Sequence, residues 1–356
     1  MNPDGLRRVL LAHAGRYPRM EPQDGVKLLY QNEFGGGHLI ADPDQSLAAL
    51  RKECSATPFD PAAPLSEDLG DGMVRVNLAA LDGEAYPPEQ LNRDFVRSAA
   101  LRRGDMGRFR EKLAVLETLT SEGAMPFSAR ALAEYLAGYR AAGCPMVSHS
   151  AAYRAAYRPA YRVLLRAVSL PLLAEEAGAL AGRQERVLVA LDGRCAAGKT
   201  TLAARLERQY GWSVVHMDHF FPRPEQRTAQ RLAQPGGNID WERFSRELLL
   251  PLREGKPPLY RPFDCRSGRL LEPIPFSPGP VVLIEGSYAC HPALREHYDL
   301  RAFLDVSPAE QAQRITAREG EAYARVFREK WVPLEEAYFA ACQVEECCDY
   351  RLGSLN

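Results

Sequence analysis

The sequence predicts an α/β fold: an open parallel sheet with helices on both faces, preceded by a mostly α-helical domain. Three observations carry this. In the second half, short apolar runs rich in β-branched residues do not alternate with polar ones: Val187 to Leu191, Trp212 to Met217, Val281 to Ile284 and Ala302 to Val306. Strands buried on both faces read this way. Helical patterns such as Leu202 to Tyr210 separate these runs, which calls for crossover connections. The first half instead shows helical periodicity cut by Gly and Pro, with one weak strand candidate, Met73 to Leu78.

Taken in order, Leu47 to Glu53, Gln90 to Ala100 and Gly107 to Leu119 read as helices, the last with Phe109, Leu113, Leu116 and Leu119 on one face. Ser128 to Ala142 is a further helix, ended by Gly143 and Pro145. Proline turns at Pro58 to Pro64 and Pro87-Pro88 separate them. Tyr161 to Leu180 reads as helix and leads into the polar stretch Gly182 to Arg186. The expected organisation is therefore a helical domain over 1–165, a helical connector over 166–184 and an α/β domain over 185–356, since 356 residues suit two domains.

Composition narrows the partners. The chain is 46% hydrophobic and 26% charged, with net charge -1, so no bulk field draws it to nucleic acid or to an anionic membrane. No apolar run approaches the ~18 residues of a membrane span, and Met1 to Leu11 lacks the pattern of an export signal. Eight scattered cysteines without a C-x-x-C pair then read as reduced thiols of a cytoplasmic protein. A zinc site from Cys342, Cys347 and Cys348 lacks a second cluster to complete it. Homo-oligomerisation is compatible with this composition.

The chemistry-bearing motif is Gly193-Arg194-Cys195-Ala196-Ala197-Gly198-Lys199-Thr200-Thr201, which fits G-x-x-x-x-G-K-[ST] between an expected strand and an expected helix. Its glycines let successive N–H groups converge on phosphate oxygens, and the following helix offers its positive end. Lys199 would reach the β- and γ-phosphates of ATP, and Thr200 would sit on Mg²⁺. Parallel strands present ligands at their C-terminal ends. Asp218, just past the second strand, is therefore placed to take or orient an acceptor hydroxyl proton, and Glu285 to hold Mg²⁺ through water or to position the acceptor. Asp305 ends the next strand and reads equally as a site carboxylate or a helix cap. His216 and His219 would point to opposite faces of a strand, which argues against a metal pair. Arg314 and Arg318 share a helix face, followed by Arg325 and Arg328; guanidinium groups there suit a lid over the transferring phosphate.

These motifs, with Gly237-Asn238-Ile239-Asp240-Trp241, Tyr260-Arg261-Pro262-Phe263-Asp264, Ile284-Glu285-Gly286 and Cys348-Asp349-Tyr350, make residues 185–354 resemble the uridine kinase and phosphoribulokinase group of P-loop kinases. The resemblance implies a five-stranded P-loop NTPase-type core, ATP and Mg²⁺ on the loop, Asp218 as catalytic Asp, Asp240 near the acceptor, and Tyr260, Asp264 and Arg266 as acceptor contacts. Cys265-Arg266-Ser267 replaces the His-containing segment that reads uracil in uridine kinases. The phosphoryl acceptor therefore stays open among nucleosides, sugars, vitamins and phosphorylated metabolites.

The first half says less. Gly35-Gly36-Gly37 reads as an anion-binding nest or a turn between helices. Tyr153, Tyr157 and Tyr161 recur at helical spacing beside Arg154, Arg158 and Arg162, interrupted by Pro159. Ser148-His149-Ser150 offers a nucleophile pair without a third member. Two functional classes follow: an ATP-dependent small-molecule kinase, or an ATP-dependent regulatory protein whose first domain engages a protein or nucleic acid.

Overall fold

A computed structural model describes residues 3–84 and 86–353. The chain divides into two compact units, Met1–Leu172 and Leu173–Asn356.

In the first unit, helices α1 (Pro3–Arg16), α2 (Pro22–Phe34) and α3 (Pro43–Ala56) precede strands β1 (Ser66–Gly70) and β2 (Met73–Asn77). Helices α4 (Pro88–Leu101), α5 (Met106–Ser121), α6 (Ala129–Ala141) and α7 (Ala151–Tyr157) follow, then strand β3 (Tyr161–Leu165). Asp42, Ser128 and Ser150 cap α3, α6 and α7 by accepting from first-turn amides. The expected apolar face of α5 is real: Phe109, Leu113, Leu116 and Leu119 are all fully buried.

The sequence expectation fails at Tyr161–Leu165, read as helix. Arg158 takes a left-handed φ of 43° and ends α7. Beyond Pro159, Tyr161–Leu165 instead completes an antiparallel sheet of order β1-β2-β3, pairing Asn77↔Tyr161 through Met73↔Leu165. Tertiary pairing with β2 overrides the local helical spacing. The helix resumes only as α8 (Leu170–Ala181). Tyr153 and Tyr157 do share a face, packed on Tyr17, while Tyr161 leaves the series. Helices α1 and α2 and strand β1 escaped sequence reading.

The triple glycine forms a packed turn. An added Cβ at Gly36 would lie 2.5 Å from the Phe95 ring, so close approach to α4 accounts for it. His149 does have a third partner: its Nδ1 lies 2.7 Å from Asp24 Oδ1, and its Nε2 lies 2.6 Å from the Tyr161 hydroxyl. The Ser150 hydroxyl, however, donates to Asp24 and caps α7. It is not aimed at His149, so no nucleophile pair results.

The second unit contains β4 (Val187–Gly193), α9 (Lys199–Tyr210), β5 (Ser213–His216), β6 (Val281–Glu285) and β7 (Leu300–Asp305). It closes with α10 (Pro308–Glu319), α11 (Glu321–Val326), α12 (Val332–Cys342) and β8 (Tyr350–Gly353). The sheet order is β8-β7-β4-β6-β5, and every pair is parallel. All seven residues of β4 and all five of β6 are buried, which explains why these runs do not alternate. The first strand of the unit lies centrally, the chain runs to one edge, returns, then crosses to the other. The order therefore reverses at β4, and a crevice opens at the C-terminal strand ends there. Between β5 and β6, two small ribbons pair Leu259–Tyr260 with Ile274–Pro275 and Phe263–Asp264 with Arg269–Leu270.

Candidate active site

Strand β4 delivers the glycine loop to this crevice. Gly193 has φ +139° and lies so close to β7 that a Cβ would meet the Leu304 carbonyl oxygen at 2.2 Å. Asp192, fully buried beside it, accepts from the amides of Gly193 (2.7 Å), Cys290 (2.9 Å) and Tyr288 (3.3 Å) and from the Tyr338 hydroxyl (2.9 Å). Burial pushes its carboxyl up to about 6, against these hydrogen bonds. Asp192 thus ties the loop to the segment after β6, a structural role that sequence reading did not single out.

Ala196 (φ 59°) and Gly198 (φ 100°) adopt left-handed angles that curl the loop. The first bond across the start of α9 runs from Leu202 N–H to Gly198 C=O. The amides of Lys199, Thr200 and Thr201 therefore precede the helical ladder, on a cavity of about 690 Å³ that these residues line. The Lys199 ammonium donates to the Gly193 carbonyl (2.6 Å), the Arg194 carbonyl (3.1 Å) and Ser287 (3.4 Å). The Arg194 side chain turns away, pairing with Asp305 (2.6 Å) and Glu336 (2.8 Å). Asp305 therefore anchors the loop, while Ser307 caps α10.

Thr200 Oγ1 donates to Glu285 Oε1 at 3.3 Å, and His216 Nδ1 lies 2.5 Å from the same oxygen. This bond with Glu285 raises the His216 pKa against burial. Among the described residues, no cluster of three His, Cys, Asp or Glu is spaced to hold a metal by itself. A hydroxyl and one carboxylate are nevertheless hard oxygen donors of the kind Mg²⁺ takes together with substrate phosphates and water, so Thr200 and Glu285 fit that ion. The expected divergence of His216 and His219 does not occur. The chain leaves the strand for a 3₁₀ turn at Met217, which brings their rings to 5.7 Å.

That turn places Asp218 on the wall of the same cavity, exposed to solvent. Loss of hydration and then the Glu285 charge raise its pKa, while Lys199 and His216 oppose the shift. Arg314 and Arg318 also line the cavity. Arg314 donates to the Ala196 carbonyl at 3.3 Å and pairs with Glu310 at 2.5 Å. Arg325 and Arg328 pair with Glu329 and Glu321 on exposed helix surface instead.

The acceptor contacts expected from the sequence are largely displaced. Asp240 is buried, caps the turn Trp241–Phe244 through the Arg243 amide, and lies 3.4 Å from the Arg243 guanidinium. Tyr260 is buried, stacked on Phe220, with its hydroxyl 3.2 Å from His219 Nδ1. Asp264 accepts from the Arg266 and Ser267 amides in a hairpin turn. None of Asp240, Tyr260, Asp264 or Arg266 lines the cavity, whereas their neighbours Asn238 and Cys265 do. Local turn geometry sets which side chain of each segment lines the cavity.

Glu335 on α12 also escaped sequence reading, since nothing in Leu334-Glu335-Glu336 marks it. It accepts from the Cys195 amide (3.0 Å) and the Ser287 hydroxyl (2.5 Å), so a carboxylate engages the glycine loop. Like charges in such a site repel. Glu335→Gln is expected to tighten ATP binding by about threefold to tenfold, and equilibrium titration with a fluorescent ATP analogue checks this; unchanged or weaker binding contradicts it. Cys195 itself has its thiol pushed up to about 12, by burial first and by Glu335 second. Its alkylation at neutral pH should be slow, and Mg-ATP should slow it further.

No family model and no curated relative matches the chain. Solved structures do resemble part of it. A possible uridine kinase from Bacillus stearothermophilus matches at 19% identity and TM-score 0.36, over 51% of this chain and 98% of its own. Phosphoribulokinase from Rhodobacter spheroides matches at 13% identity and TM-score 0.35, over 48% and 70%. D-glycerate 3-kinase from Cryptococcus neoformans matches at 14% identity and TM-score 0.35, over 46% and 86%.

Proposed function

We propose that this protein transfers the γ-phosphoryl group of ATP to a hydroxyl of a small metabolite, in the manner of a nucleoside kinase. The carrying observation is that one cavity gathers Lys199 and the loop amides, Thr200 with Glu285, Asp218, and the Arg314 and Arg318 guanidinium groups. A nucleotide switch has no need of a further exposed carboxylate in the cavity that the loop lines, whereas an acceptor hydroxyl does.

Mg²⁺ bound by Thr200 and Glu285 would neutralise phosphate charge. The chain's own groups do the rest. Loop amides and Lys199 orient the triphosphate, after Lys199 exchanges its carbonyl partners for phosphate oxygens. Asp218 accepts the acceptor's hydroxyl proton, which its raised pKa favours. Arg314 and Arg318 offset charge spreading over the transferred group. Acceptor specificity then falls to side chains around the same cavity, Asn238 and Cys265 among them.

The test is ADP release against a panel of nucleosides, sugars and vitamins. One acceptor should stimulate release, and Lys199→Ala and Asp218→Asn should each abolish the stimulation. Slow hydrolysis indifferent to every acceptor but altered by a protein or RNA would refute the proposal.

A further inference from the structure

The cavity lined by the glycine loop adjoins a smaller pocket of about 360 Å³, and Arg227, Asn238 and Trp331 line both. Leu232, Pro333 and Leu334 give the smaller pocket an apolar wall. The two spaces differ in charge. Asp218, Glu285 and Glu335 line the main cavity. The side pocket has Glu329, already paired with Arg325 at 3.3 Å, and two cations, Arg227 and Lys330.

Arg227 is unlike the other arginines of the site. Arg314 pairs with Glu310 and Arg318 with Glu319, whereas Arg227 has no carboxylate partner among the described residues. Two contacts hold it in place. Its Nε donates to the Pro222 carbonyl at 2.8 Å, and its guanidinium lies 5.5 Å from the centre of the Phe263 ring. A fork fixed through Nε keeps its outer nitrogens for a ligand. The Lys330 ammonium rests 4.5 Å from the centre of a Trp331 ring, again with no carboxylate partner among the described residues. Two such cations on one pocket create a field that draws an anion.

That field lies near the reacting end. Arg227 and Asp218 line the same cavity, and both charges act on the Cys265 thiol. Loss of hydration first and Asp218 second push the pKa of Cys265 up, and Arg227 opposes them. One small molecule can therefore offer a hydroxyl to Asp218 and a charged group to Arg227.

We propose that the phosphoryl acceptor is itself an anion, a hydroxyl compound bearing a phosphate ester or a carboxylate, whose charged group is held by Arg227 and Lys330 in the side pocket. This deepens the kinase reading above and rests on it. A neutral nucleoside or sugar leaves both cations unmatched, whereas an anionic acceptor meets them with charge-assisted hydrogen bonds. Asp218 and Glu335 repel the same charged group, which orients the acceptor with its hydroxyl toward Asp218 and its anion in the side pocket. Arg227 is then a specificity residue and takes no part in the transfer itself.

The experiment measures ADP release by the full-length protein at saturating Mg-ATP against matched compounds: glycerol with glycerol phosphate and glycerate, ribose with ribose phosphate, and uridine with its monophosphate. The compound that stimulates most should be an anion, and comparing glycerol phosphate with glycerate tells which group the pocket takes. In Arg227→Gln the KM for that compound should rise about tenfold or more, while kcat and the KM for ATP change by less than about threefold. Arg227→Lys should recover part of the loss. Lys330→Gln, which removes no hydrogen bond of the fold, should raise the same KM by about threefold. A merely loosened loop would instead lower kcat/KM for neutral and anionic members alike, and that result overturns the proposal. A neutral compound that stimulates as well as its anionic partner leaves the kinase reading standing and overturns this one. So does an anionic acceptor whose KM is unmoved in both Arg227→Gln and Lys330→Gln. If no compound stimulates ADP release, the kinase reading fails and this proposal falls with it.

Discussion

Asp218→Asn should lower kcat by about a thousandfold while changing ATP affinity by no more than about threefold, because the substitution keeps shape and removes only the proton acceptor. The geometry sets this split. Asp218 shares the cavity with the loop but makes no hydrogen bond to it, so its loss should be felt in transfer and little in nucleotide binding. A pH profile sharpens the test. Desolvation and the Glu285 charge raise the Asp218 pKa above the ordinary carboxylate value, and the base works only when ionised. Activity of the wild-type protein should therefore fall as pH drops through that raised value. The residual activity of the variant should lose this acid limb. An acid limb unchanged in Asp218→Asn would assign the base to another group, and a variant weakened only in ATP affinity would make Asp218 a binding residue.

Gly193→Ala has the largest expected effect on the fold. Its φ of +139° lies in a region that L-residues seldom enter, and the added methyl would sit 2.2 Å from the Leu304 carbonyl oxygen, part of the β7 backbone. Backbone cannot move aside as a side-chain tip can. The loop must leave β7 or the sheet must open, at a cost of about 3 kcal/mol or more. Thermal unfolding should show a drop of several degrees together with loss of ATP binding. Gly178→Ala is the control. This exposed glycine lies within α8 with no heavy atom near its missing Cβ, so alanine there should add about 0.5–1 kcal/mol. Equal behaviour of the two variants would contradict the close approach of loop and strand.

What the sequence disclosed and what it hid follow from the range of the forces involved. Val187–Leu191 and Val281–Ile284 announced themselves because a strand buried on both faces must be apolar throughout. Gly193–Thr201 was legible because a phosphate loop needs glycine and lysine at fixed spacing. Tyr161–Leu165 misled because its pairing partners on β2, Asn77 to Met73, lie 84 to 92 residues earlier, and helical spacing is a local property. Asp240, Tyr260, Asp264 and Arg266 were expected to contact an acceptor. A cap, a stacking contact and a hairpin turn then directed them away from the cavity and left Asn238 and Cys265 facing it. Asp192 and Glu335 act through partners 98 and 140 residues away in the chain, and no local pattern records such contacts.

In the proposed reaction, phosphate travels from ATP to a small hydroxyl. The direct measurement follows the label of γ-³²P-ATP in the presence of the acceptor that most stimulates ADP release. Label should appear on that acceptor in step with ADP and disappear with Lys199→Ala. Label found entirely as inorganic phosphate, at a rate no small molecule alters, would contradict it.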